Sequence, residues 1–436
     1  MAQFRKDTHK YLPQETTIFE VMMLADQYGN LVGPANPSGM SVDAFGRARM
    51  STPLTLFDSS HRYRDNGLWA TANNANTTVA FSQNEGLINL SVSAAANDQI
   101  IRETTKVFSY QPGKSLQVMS TFVMANAQTN LVQKVGYYGA NNGIYLEQSN
   151  NNVYFVERSY STGTLVENKI AQADWNIDTL LGAVDSSPSQ KTLDLTKAQI
   201  FFSDIEWLGL GSVRCGFVID GQLIHCHSFH HANYITSTYM TTASLPLRYE
   251  IKNIGPTGNN STLKQVCSTV ISEGGYELRG AQQAVGHLIN APRDLPSGNT
   301  EYPVLSLRLK SDRNDAVVIP TAISLLGIGN NSRFLWKLIN NPTLGNTSWQ
   351  SAGIDSAVEY DMSANTISGG RTVAQGYFAA DTQSVMPVQI LKEALFKFQL
   401  ERNGLTGNSY PLTISVTSLS AGDDVLATMD WEEISR

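Results

Sequence analysis

The stretch HCHSFHH, residues 225 to 231, holds four of the chain's seven histidines: His225, His227, His230 and His231. Imidazoles at that density suit zinc ligation, proton transfer near neutral pH, or a polar sheet face that does neither. Upstream, Asp204 and Glu206 stand two residues apart in QIFFSDIEWL, with Trp207 beside them. Two carboxyl groups on one face could serve glycoside hydrolysis, where retaining enzymes hold them ~5 Å apart. Which chemistry is available depends on which side chains share a face.

The run VRCGFVIDGQLIHCHSF places Asp220-Gly221 between two strand-like halves, the pattern of a two-residue hairpin turn. Counting back from the turn opposes Phe217 with Ile224, Gly216 with His225, Cys215 with Cys226 and Arg214 with His227. Alternation then assigns Cys215, Phe217, Ile219, Ile224 and Cys226 to a core face, and Arg214, Val218, His225 and His227 to the other. In the preceding strand Phe201, Ile205 and Trp207 share one face, Asp204 and Glu206 the other. Matching the apolar faces gathers Asp204, Glu206, Arg214, His225 and His227 into one polar face, with Trp207 near its edge. An HxH pair on a strand can hold zinc, but a fixed guanidinium beside His227 opposes a divalent cation, and ion pairing with the carboxylates accounts for the same residues. No metal or cofactor is therefore expected, and the face reads as a ligand surface or as a solvated or subunit-packed one. Three cysteines without a CxxC argue against a disulfide framework, and Cys215 and Cys226 are expected to stay reduced.

SDIEWLG resembles the E-x-D-x-E strand of laminarinase-like jelly-roll glycosidases. The first Glu of that motif is the family's nucleophile, and Phe202 occupies its place. The resemblance thus implies at most a sugar-binding remnant, and no catalytic residue is assigned. YQPGKS ends like a phosphate loop, but the first glycine of that motif would fall at Phe108, so it reads as a turn between strands.

The elements around these residues read as β throughout. Runs such as LINLSVSA, SLQVMSTFVM, NVYFVERSYS and AQIFFSDIEWL alternate with period two between Asn, Gly and Asp turns, as in an antiparallel sandwich or jelly roll. The organisation expected is an extended arm over 1–75, a β-sandwich over 76–285, a proline-containing linker over 286–300, and a second β-sandwich module over 301–436. PVQILKEALFKFQLE could be a helix or a strand. At 436 residues the chain can build two or three cores, so the histidines need not rescue a small fold. Charged residues are 16% against a usual ~25%, and the net charge of -7 offers no field for a nucleic-acid backbone or anionic membrane. No stretch approaches ~18 consecutive apolar residues, so membrane insertion is not expected. The start shows no apolar signal region, so a soluble protein folded in cytoplasm is expected.

Four long stretches carry a further resemblance: SVDAFGRARMSTPLTLFDSSHRY at 41–63, IRETTKVFSYQPGKSLQVMSTFVMA at 101–125, DIEWLGLGSVRCGFVIDGQLIHCHSFHHANYITSTYMTTASLPLRYEI at 204–251, and CSTVISEGGYELRG at 267–280. They resemble virion structural proteins of tailed bacteriophages, particularly those of marine cyanobacterial phages. The resemblance implies a non-enzymatic particle component with an anchoring arm, a lectin-like (concanavalin or laminin-G-like) jelly roll and a second β module. With it, a low-charge all-β chain carrying a dockable arm is expected to form a symmetric homo-oligomer, a trimer, located in the virion and fixed by its arm to head, neck or tail. Its partners would be copies of itself, other virion proteins and, in a receptor role, a host surface glycan bound at the hairpin face.

Overall fold

Short alternating runs closed by residues that tolerate positive φ generate antiparallel pairs along the chain. Asn150 (φ 54°) joins Gly143–Ser149 to Asn152–Ser159, and Asp220 and Gly221 (φ 52° and 75°) join Val213–Ile219 to Gln222–Phe229. The computed structural model describes residues 51–436 except 184, 278, 330–331, 381–383, 386–397 and 436, together with one short antiparallel pair, Leu24–Ala25 with Leu31–Val32. Residues Pro53–Arg436 form one compact unit, and Met1–Thr52 another.

The first sandwich stacks two sheets. One has seven strands in the order Val166–Ala171, Asn152–Ser159, Gly143–Ser149, Leu131–Tyr138, Leu247–Asn253, Gln99–Thr104 and Trp69–Asn73. The other runs Gln222–Phe229, Val213–Ile219, Gln199–Ile205, Leu116–Val123, Ser261–Ser272, Leu87–Val92 and Thr77–Ser82, with Leu54–Ser60 also paired to Ser261–Ser272. Inward side chains of both sheets, among them Phe155, Phe201, Phe217, Tyr137, Tyr249 and Leu263, make one continuous apolar core.

The second module is also all antiparallel in its named strands. Its six-stranded sheet centres on Glu301–Leu309, Leu412–Ser418 and Arg333–Asn340, and its five-stranded sheet on Val317–Ile328 and Asp423–Ser435. Trp431, Phe334 and Leu305 are buried in its core. Among the described residues the only helical segments are 3-10 turns, and none is long and apolar enough to cross a membrane.

Two expected boundaries shift. Residues 54–73, assigned to the arm from their turn-rich neighbours, contribute two sandwich strands. Trp69 anchors them, packing edge-on against Phe57 (6.2 Å) and Tyr249 (5.7 Å) and donating Nε1–H to Ser59 Oγ at 2.9 Å. The remainder of the arm lies outside the described residues, as does most of PVQILKEALFKFQLE. Within the expected linker, Arg293–Leu295 pairs with Asp423–Ser435 and Leu295 is fully buried, so this stretch is part of the second sheet system.

The two sandwiches meet along a polar seam. Arg402 N–H donates to Thr105 O (2.9 Å), Gln399 Nε2 donates to Val107 O (2.9 Å), and Val107 packs on Val317 and Ile319. At its centre Glu103, with 2% of its side chain exposed, accepts from Arg248 Nε at 2.9 Å and pairs with Arg402 Nη1 at 3.0 Å. Glu401 repeats the arrangement from the other side, accepting from Thr105 Oγ1 (3.0 Å) and lying 3.7 Å from Lys106 Nζ. Burial depresses the Arg402 guanidinium, and Glu103 opposes that shift.

Candidate functional site

The histidine hairpin follows its expected register for half its length. Ile219 opposes Gln222, Val218 opposes Leu223, Phe217 opposes Ile224 and Gly216 opposes His225. A β-bulge then intervenes, so that Cys215 opposes His227 instead of Cys226, and Arg214 opposes Ser228. Two features cause it. The Cys226 carbonyl turns out of the ladder to accept the amides of Ile177 and Asp178, each at 3.0 Å. Gly216 has no Cβ, and one placed there would collide with the Ile224 carbonyl and the Phe202 ring. Neither was visible in the pairing count, because the donors lie almost 50 residues upstream in a loop.

The bulge corrects the shared polar face. His227 turns to the core side, 6.5 Å from the Phe155 ring and edge-on to Phe229 at 4.6 Å. Its Nδ1 accepts the Asn176 amide hydrogen at 3.2 Å, and burial pushes its pKa down to about 4. His225 stays half-buried, with Nε2 3.1 Å from His227 O and 3.0 Å from Ser228 Oγ; burial and then Arg214 lower its pKa. Asp204 and Arg214 share a face and are directly cross-strand, a register the sequence left open, and they form an ion pair in which the carboxylate is buried and the guanidinium mostly exposed. Burial raises the Asp204 pKa against the pull of Arg214. The strand ends at Ile205, so Glu206 projects into solvent from the following turn. Trp207 leaves this face and meets Tyr110 edge-on at 6.0 Å, where the first sandwich faces the second module.

Cys215 and Cys226 are free, buried thiols whose pKa values burial pushes up; Cys267 is the exposed one. His231 closes the same region. Its ring stacks on Tyr239 at 3.9 Å, donates to Glu157 Oε2 at 2.6 Å and reaches Gly211 O at 2.5 Å, so it is held toward the charged form despite burial. Among the described residues no group of three or more His, Cys, Asp or Glu could hold a metal ion.

The largest ionic cluster lies elsewhere, on the outward face of the seven-stranded sheet. Lys134 lies between Glu147 and Glu250 in the cross-strand register. Glu147 takes a hydrogen bond from Lys169 Nζ (2.7 Å), while Glu167 takes one from Arg158 Nη2 (2.6 Å) and one from Tyr145 OH (2.7 Å). Arg158 and Arg248 lie over the Tyr138 ring at 5.4 and 5.2 Å. Burial would raise Glu167, but the Tyr145 and Arg158 hydrogen bonds and Lys134 outweigh it and hold it at about 2. Charges so fully matched form a packed polar layer. Its sequence signal is charged or tyrosyl residues spaced two apart, Tyr145 and Glu147, Glu167 and Lys169, and Arg248, Glu250 and Lys252, with Lys134 and Tyr138 four apart. Gathering those strands needed the sheet order.

No family model matches the chain, and no curated protein matches it in sequence. Solved structures do match about half of the chain. A Bacillus licheniformis beta-glucanase is 13% identical over 49% of this chain and 96% of its own, with a TM-score of 0.32. The Emp47p carbohydrate recognition domain is 12% identical over 53% and 99%, with a TM-score of 0.33. A carbohydrate esterase from Shiga toxin-encoding bacteriophage phi24B is 11% identical over 51% and 99%, with a TM-score of 0.32. The chain is an antiparallel β-sandwich protein, and these likenesses concern that architecture alone.

Proposed function

We propose that the chain is a non-enzymatic structural component of a tailed-phage virion, a homo-trimer attached to head, neck or tail. The observation that carries this reading is the seam. Two sandwiches are locked into one body by buried ion pairs and by hydrogen bonds between residues almost 300 positions apart, which suits a rigid building block. The virion-like stretches at 101–125, 204–251 and 267–280 fall within this body. Self-association would also cover strand edges such as Arg371–Ala379, where Tyr377 stands exposed. The partners are copies of the chain and other virion proteins, and the location is the particle, assembled in the host bacterial cytoplasm.

The rival, a carbohydrate receptor face or degenerate glycosidase on Asp204, Glu206, His225 and His227, is weaker. Asp204 is committed to Arg214, and His227 is packed under Phe229. Light scattering on the purified chain tests the proposal: a trimer of the 47.7 kDa chain is expected, with the same chain detected in gradient-purified particles. A monomer at all concentrations together with absence from particles would overturn it.

A further inference from the structure

Three cavities lie end to end along the seam. The middle one, about 390 Å³, is lined by Tyr110, Trp207, Thr242, Ser244 and Asp315. It shares Tyr110, Pro112 and Ile434 with a cavity of about 400 Å³ that reaches Lys114 and Arg279. At its other end it shares Thr242, Ser244 and Asp315 with one of about 250 Å³ that reaches Asn141 and Arg402. Together they form a continuous groove with walls from both modules. Each cavity is at or near the lower end of the size range of small-molecule sites.

The lining has a definite chemistry. Trp207 and Tyr110 stand at 76° to one another, so their rings form an apolar corner at mid-groove. Around that corner are hydroxyls and a carboxylate: Thr242, half-buried, and Asp315, exposed. Carboxylates sit beside the cations at both ends, Glu277 beside Arg279, and Glu103 between Arg248 and Arg402. A groove with an aromatic corner, a carboxylate acceptor and near-balanced charge complements a ligand with one apolar face and a rim of hydroxyls. It gives no reason to select a polyanion.

We propose that this seam groove binds a neutral oligosaccharide, stacking one pyranose on the Trp207 ring beside Tyr110 while Asp315 accepts hydrogen bonds from its hydroxyls. The site differs from the hairpin face and does not depend on the virion reading, since a chain absent from particles could still bind sugar here.

The test is a printed array of neutral bacterial surface oligosaccharides probed with the full chain. Binding to at least one oligosaccharide is expected, weakened tenfold or more by Asp315→Ala and by Trp207→Ala, and unchanged by Tyr63→Ala, an exposed aromatic outside the groove lining. Asp315 is exposed and outside any strand, so its variant tests the site without endangering the fold. Failure to bind any oligosaccharide, including a result in which only unstructured peptides compete for the groove, overturns the proposal. So does binding that Asp315→Ala leaves intact.

Discussion

Replacing Glu103 with alanine should do more than delete one ion pair. The carboxylate is shared by Arg248, on a neighbouring strand of the first sandwich, and Arg402, from the second module, and their side chains are only 9% and 6% exposed. Removal strips two guanidinium groups in a desolvated seam of the carboxylate they both bond, leaving Arg402 only the exposed Asp315, and breaking a buried pair from one side costs about 3–5 kcal/mol. That is a large share of a stability of ~5–15 kcal/mol. Arg402 donates to Thr104 O and Asn314 O as well, so the loss also loosens the backbone contacts that join the modules. Guanidinium unfolding followed by circular dichroism and tryptophan fluorescence should therefore change from one coincident transition to two in Glu103→Ala. Exchanging Arg402 for Met in the same background should recover part of the loss, because it removes one of the two guanidinium groups left without Glu103. A Glu103→Ala protein within ~0.5 kcal/mol of the parent, with coincident transitions, would refute the reasoning.

Acid sensitivity should come in part from two histidines. His61 and His227 are both buried and held near 4 against an ordinary 6.5, so the unfolded chain takes up protons first as pH falls. Their stabilising contribution is complete above about pH 6.5 and is lost progressively down to about pH 4, by up to ~3 kcal/mol each. His227→Gln, which keeps an acceptor for the Asn176 amide, should flatten that slope in urea midpoints measured across the range; an unaltered slope would contradict it. Gly216→Ala should destabilise by about 1–3 kcal/mol, because the added methyl meets the Ile224 carbonyl and the Phe202 ring; a melting temperature equal to the parent's would count against the bulge. Thiol titration of the native protein should find one fast-reacting cysteine, Cys267, and all three only after unfolding. Three fast thiols in the native state would show that Cys215 and Cys226 are not buried.

What the sequence determined by itself was local. Period-two alternation specified an all-β chain, and Asp220-Gly221 specified a turn whose first four cross-strand pairs follow directly, since both signals act between near neighbours. That Asp204 shares a face with Arg214 was legible from alternation, but the register that sets them directly opposite came only from the fold. Tertiary structure decided everything that depends on distant chain. The amides of Ile177 and Asp178 capture the Cys226 carbonyl, and that single bulge sends His227 into the core. Trp69 draws residues 54–73 into the sandwich, although their neighbours read as an arm. The ionic layer around Lys134 and the seam around Glu103 exist only because sheet order makes neighbours of residues far apart in sequence. Alternation fixes which face a side chain takes, but only the packed fold fixes what that face meets.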